Sequence, residues 1–214
     1  MDQRSIVIAA MGDGRLLRPR DLATMGEGGA PIPRHVLHTL VREGAVVRVP
    51  EGFRLAGAGV SLEDLRWQEI ALRHPSGVVC LEAAQVFHGL TDDFPGEIRV
   101  AVPRNASRRS PVPGVKLVSF SNPGMLVIGV EARVVSGNRF LVTDRHRTVA
   151  DMFRPQNWQP ADKADAAFRL VASEDGEDGI AKVSGYAHSL GWGREVTMAA
   201  RTAKGFVRCA MPKP

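Results

Sequence analysis

The side chains best placed to make specific contacts cluster between Ile32 and Leu55, in IPRHVLHTLVREGAVVRVPEGFRL. Arg34, His35, His38, Thr39 and Arg42 fall within one helix-like run, and Arg48 and Arg54 follow in an alternating run. Guanidinium, imidazole and hydroxyl groups donate hydrogen bonds to base edges and to phosphate oxygens. The chemistry such a set offers is recognition of a nucleic acid. A second basic set lies further on: Arg99, Arg104, Arg108, Arg109 and Lys116 fall in a stretch, Ile98 to Val130, that contains no Asp or Glu. It reads as a second DNA contact, a docking face for an acidic partner, or a solvated loop.

Groupings that make or break bonds are not found in the sequence. There is no Gly-x-Ser-x-Gly elbow, no Walker loop and no His-Glu-x-x-His. The six histidines and two cysteines show no zinc-ligand spacing. Asp144 and His146 are two residues apart and would diverge on a helix, while Asp92 and Asp93 read as a solvated pair after a helix. A nucleotidyltransferase would need a Gly-Ser turn followed by spaced metal-binding carboxylates, and neither occurs. The expectation is a protein that is not an enzyme, with no catalytic residues, no cofactor and no metal.

The elements that must position the basic residues follow from spacing. Val36, Leu37, Leu40 and Val41 share one face of a helix over Pro33–Glu43, which leaves His35, His38, Thr39 and Arg42 on the other and Arg34 at its N-terminal edge. Gly44 closes that helix. Strands at Ala45–Val49 and Phe53–Leu55 flank a tight turn at Pro50-Glu51-Gly52. Val47, Val49, Phe53 and Leu55 are expected inside, and Arg48 and Arg54 outside. Before these come a helix over Ser5–Met11, another over Arg18–Met25 with Pro19 in its first turn, and a Gly/Pro-rich turn at Gly26–Pro33. Helix, helix, helix and Arg-bearing hairpin make a winged helix-turn-helix, whose third helix enters a major groove of duplex DNA. The charge of residues 1–58 is modest, eight arginines against six acids, or about +2. A solvated basic face, or a winged helix that contacts only protein, is the alternative.

Beyond a linker at Ala56–Ser61, a second domain is expected over residues 61–214. Its elements are a helix over Leu62–Arg73, a short apolar segment at Val78–Leu81 and a small helix through His88. Strands follow at Gly96–Pro103, Val115–Phe120 and Phe140–Thr143, then a helix over Arg147–Phe153. Helices at Asp162–Ala172, Ile180–Leu190 and Arg194–Val207 close the chain, the first two separated by an acidic turn at Ser173–Gly179. In RTVADMF, Val149, Met152 and Phe153 sit at core spacing, and Arg147 and Asp151 are placed to pair on the helix surface or to bind a neighbouring strand. His88 followed by Gly89 reads as a helix end.

The bulk properties agree with a folded, DNA-binding chain. Of 214 residues, 44% are hydrophobic, enough for a sizeable core. Only 6% are aromatic, which disfavours a base-stacking RNA module. The net charge of +5 suits a phosphate-rich partner without requiring one. Cys80 and Cys209 read as reduced thiols. The start, MDQRSIVIAAMGDG, is no signal peptide, and no run approaches the ~18 apolar residues of a membrane helix. A soluble, cytoplasmic protein with no membrane partner is expected.

Four segments in order then carry a resemblance: GVVCLEAAQVFHGL (77–90), GEIRVAVPR (96–104), PGVKLVSFS (113–121) and RTVADMF (147–153). With LVREGAVVRVPEGFRLAG (40–57) before them, the chain from about Leu16 to Phe153 resembles the AbiEi antitoxin family of type IV toxin–antitoxin systems. The resemblance implies an α+β chain in which an N-terminal winged helix-turn-helix, residues 1–58, precedes a mixed α/β antitoxin domain with a helical C-terminal part. It implies a repressor of its own operon that binds inverted repeats. It also implies that the protein counteracts a nucleotidyltransferase-like toxin without forming a stable complex with it. Related sequences occur as stand-alone regulators with no toxin, so that reading stays open beside the antitoxin one.

Overall fold

The computed structural model describes residues 2–12, 14–50, 52–93, 96–106, 110–120, 122–154, 161–194 and 196–197. It mixes helices with two β-sheets and divides into two compact units. One comprises Met1–Ser76 with Ala132–Phe140, the other Gly77–Glu131 with Leu141–Pro214. The division falls after residue 76, where the sequence suggested a linker at Ala56–Ser61.

The first unit opens with α1 (Gln3–Ala10). The expected helix over Arg18–Met25 is instead a 3-10 helix, Pro19–Thr24, followed by a second 3-10 turn, Glu27–Gly29. Its ends explain this. Leu17 is tied into an antiparallel bridge with Phe53, and Gly26 N–H reaches Ala30 O at 2.7 Å to close a turn. Between these fixed ends the six residues adopt the tighter 3-10 form, which is common in short connecting segments. Asp21 caps the segment by accepting from Arg18 N–H at 2.7 Å.

Next comes α2 (Arg34–Arg42), with Val36, Leu37 and Leu40 buried as the spacing demanded. It ends in a Schellman motif: Ala45 N–H reaches Leu40 O and Gly44 N–H reaches Val41 O, both at 3.0 Å, with Gly44 at φ 74°. The hairpin follows as β1 (Val46–Val49) and β2 (Gly52–Leu55). Val7, Met11, Leu17, Leu22, Val46 and Phe53 join the α2 stripe in one core. Then α3 (Leu62–Arg73) starts at Ser61, whose hydroxyl accepts from Asp64 N–H at 2.9 Å. Its Trp67 stacks on Phe140 with ring centroids 5.5 Å apart, and its buried Gln68 donates to Gly14 O and Ser136 O. Asn138 completes the unit by bonding both the N–H and the carbonyl of Leu16.

The second sheet has the order β5-β4-β3-β7-β6. Its strands are β3 (Val78–Val79), β4 (Ile98–Val102), β5 (Val115–Ser119), β6 (Val130–Val135) and β7 (Asn138–Thr143). β3 runs antiparallel to β4 and parallel to β7, and β4 runs parallel to β5. β6 was not foreseen. In the second unit α4 (Glu82–Phe87) follows β3, and α5 (Arg145–Met152) starts at Asp144, which accepts from Arg147 N–H at 2.8 Å. A further segment, α6 (Ala161–Leu190), consists of two helical runs that meet at a kink at Gly176, φ 62° and ψ −144°, inside the expected acidic turn. Helical hydrogen bonding thus claims more of Ser173–Gly179 than its polar composition suggested. The core here joins Val149 and Met152 of α5 to Ala167, Phe168, Val171 and Val183 of α6. Most of the helix expected at Arg194–Val207 lies outside the described residues. No helix among those described is long and apolar enough to cross a membrane.

Candidate nucleic-acid interface

Burial of Val36, Leu37 and Leu40 fixes how α2 is turned. Arg34, His35, His38 and Arg42 are consequently exposed, Thr39 is half-buried, and Val41 packs at the margin of the core. Arg34, His35, His38 and Arg42 are thus exposed as the spacing suggested, while Thr39, expected on the same face, is half-buried.

The hairpin departs from expectation. Val49 pairs with Gly52, so only two residues turn the chain, and Arg48 faces Phe53 while Val47 faces Arg54. Cross-strand partners share a face of the ribbon. Val46 therefore takes the inner position expected of Val47, which is 41% exposed. Arg48 and Arg54 lie on opposite faces, not together on the outer one. Arg48 is exposed, whereas Arg54 is half-buried and donates from Nη1 to Ala58 O at 3.4 Å. The pairing was mis-set because Pro50-Glu51-Gly52 was read as a three-residue turn. A slip of one residue exchanges the two faces.

Beside this turn the first unit contains a cleft of about 640 Å³. Five arginines line it: Arg18 and Arg20 from the start of the 3-10 helix, Arg34 from the first position of α2, Arg48 from β1 and Arg73 from the end of α3. Val49, Phe53 and Leu72 supply apolar lining. None of the described lining residues is acidic. Arg18 is held in place, donating to Leu72 O and lying 3.4 Å from the Asp21 carboxylate. Arg20, Arg34 and Arg48 are exposed. Next to the cleft, burial lowers the pKa of His74, and the charge of Arg73 adds to the effect. Of the recognition set read from sequence, only Arg34 and Arg48 reach this cleft. Arg18, Arg20 and Arg73 escaped notice because they come from segments far from α2 along the chain. The one available signal was the density of arginine in RLLRPR (15–20).

The second basic set is less uniform than its acid-free sequence suggested. Arg99 on β4 pairs with Glu82 of α4 at 2.8 Å, and Lys116 on β5 approaches Glu97 at 3.7 Å. Glu97 lies just before the stretch and Glu82 sixteen residues before it, on α4. Arg104 is exposed after β4, and Arg108 and Arg109 lie outside the described residues.

Arg147 and Asp151 do pair, at 2.9 Å, but both are buried rather than on the helix surface. Arg147 also donates to Ile128 O and approaches Met125 Sδ at 3.6 Å. Burial pushes the Asp151 carboxyl up against the opposing pull of Arg147. His88 Nε2 lies 2.7 Å from Thr143 O and 3.9 Å from Glu131. These groups brace the second unit. Among the described residues no cluster of His, Cys, Asp and Glu is arranged to hold a metal ion.

No family model matches the chain, and no curated protein does. Among solved structures it is similar to the crystal structure of RV2827C protein from Mycobacterium tuberculosis, at 17% identity, with 94% of this chain and 81% of that one covered and a TM-score of 0.49.

Proposed function

We propose that the protein is a DNA-binding transcriptional autorepressor whose first unit works as a winged helix-turn-helix. The observation that carries this reading is the orientation of α2. Its buried stripe of Val36, Leu37 and Leu40 turns Arg34, His35, His38 and Arg42 outward, with exposed Arg48 following on the hairpin. An exposed helix face of this composition suits base edges in a major groove, and an Arg-bearing ribbon beside it suits the backbone. Thr39 and Arg54 contribute less, since both are half-buried.

The ordered segments 77–90, 96–104, 113–121 and 147–153 support the further reading of an antitoxin that counteracts a nucleotidyltransferase-like toxin without a stable complex. A reporter driven by the protein's own upstream region tests repression. Full-length protein is expected to silence it, and Arg42→Ala to relieve the silencing at equal protein level. Co-expression with a nucleotidyltransferase-like toxin encoded beside the gene tests the antitoxin role: rescue supports it, and full toxicity leaves a stand-alone regulator.

A further inference from the structure

We propose that the arginine cleft of the first unit is a binding site for closely spaced phosphate groups. Five arginines line one concavity from four separate segments: the 3-10 helix, α2, β1 and α3. Bringing like charges together opposes folding unless an anion relieves the repulsion. Asp21 answers Arg18, and the described lining residues add no carboxylate beside the exposed Arg20, Arg34 and Arg48. All five cations are arginine, whose planar fork matches two phosphate oxygens at once. The cleft's volume, about 640 Å³, falls within the range of ligand-binding clefts. Phe53 provides an apolar wall, which weakens screening of charges inside. Arg18 is fixed by Leu72 O and Asp21, while Arg20, Arg34 and Arg48 are exposed for the ligand.

Phosphates of this kind come from two sources, consecutive phosphodiesters of a duplex strand or the free di- or triphosphate of a small molecule. With the duplex the inference rests on the DNA reading above, and with the free ligand it does not. The test uses the full chain as wild type, as the triple variant Arg20→Ala/Arg34→Ala/Arg48→Ala, and as His38→Ala/Arg42→Ala. One probe is inorganic pyrophosphate, followed by calorimetry. The other is a short duplex, of upstream or unrelated sequence, titrated at several salt concentrations.

If the source is the duplex, the triple variant binds both sequences at least about tenfold more weakly, with a salt slope smaller by about two to three. If it is the free ligand, wild type binds pyrophosphate and the triple variant does not. An Arg→Lys triple variant keeps the charge, loses the fork and is expected between the two. These three side chains are exposed, so their loss leaves the core intact. Should the triple variant nevertheless melt below wild type, Arg20→Ala alone carries the same comparison. Pyrophosphate binding without any DNA binding upholds the cleft and removes the DNA reading. Loss of upstream preference in His38→Ala/Arg42→Ala, with the triple variant like wild type on duplex and no pyrophosphate bound by wild type, overturns the cleft and removes Arg34 and Arg48 from the DNA contacts, leaving base reading to His38 and Arg42.

Discussion

Arg147 is fully buried, while Arg34, Arg42 and Arg48 are exposed, and the same side chain does opposite work in the two settings. In the interior, Arg147 needs Asp151, Ile128 O and its other contacts to compensate for lost hydration. Asp151→Ala removes a buried counter-charge and is expected to cost about 3–5 kcal/mol in chemical denaturation. Asp151→Asn keeps an acceptor and should cost less. Wild-type stability in Asp151→Ala would mean that the pair bears no weight. Cys80 offers a pH test. Burial pushes its thiol up to about 12. The unfolded thiol titrates near ~8.5. Between those values the unfolded chain gives up a proton that the folded chain retains, so stability falls as pH rises. Cys80→Ala is expected to flatten the decline in melting temperature above about pH 8.5, and an unchanged decline would remove Cys80 as its source.

At the scale of elements, the β1–β2 hairpin depends on its approach to Leu17. A Cβ at Gly52 would lie 2.5 Å from Leu17 O, a backbone atom. Gly52→Ala should therefore push the ribbon off the Leu17–Phe53 bridge and cost about 1–3 kcal/mol, read as a lower urea midpoint. A midpoint equal to wild type would show that the bridge adjusts freely.

What was readable in the sequence follows the same physics. Periodicity of 3.6 identified the buried stripe and exposed face of α2, and Gly44 marked its end. The hairpin was readable as an element, but its register depended on whether the turn took two residues or three, which PEG leaves open. β6 was missed although Val130, Ala132 and Val134 alternate with Glu131 and Arg133; its middle residues Ala132, Arg133 and Val134 are all exposed, so it is an edge strand with little buried face. SEDGEDG was readable as a break between two helices, but not that the break narrows to Gly176, with the residues on either side helical. The cleft was invisible because tertiary structure, not spacing, assembles its five arginines.

At the scale of the whole chain, the first unit borrows residues 132–140 from the middle of the sequence. A fragment ending at Ser76 loses Asn138, the partner of Leu16, and Phe140, the partner of Trp67. Fragments 1–60 and 1–76 are thus expected to melt below the full chain, or to show no cooperative transition by circular dichroism. A fragment starting at residue 61 strands Trp67 and Gln68 in the same way. A fragment 1–76 as stable as the whole chain would show those contacts to be dispensable. Function should accordingly be measured on the full protein.

The most direct measurement titrates full-length protein onto duplex DNA spanning the region upstream of its gene, beside an unrelated duplex, across rising salt. Arg42→Ala is expected to lose about 1–3 kcal/mol on the upstream duplex alone, as a base contact does. Arg48→Ala is expected to weaken both duplexes alike and to lower the salt slope by about one, as a phosphate contact does. Wild-type affinity and slope in both variants would contradict DNA recognition by α2 and the hairpin.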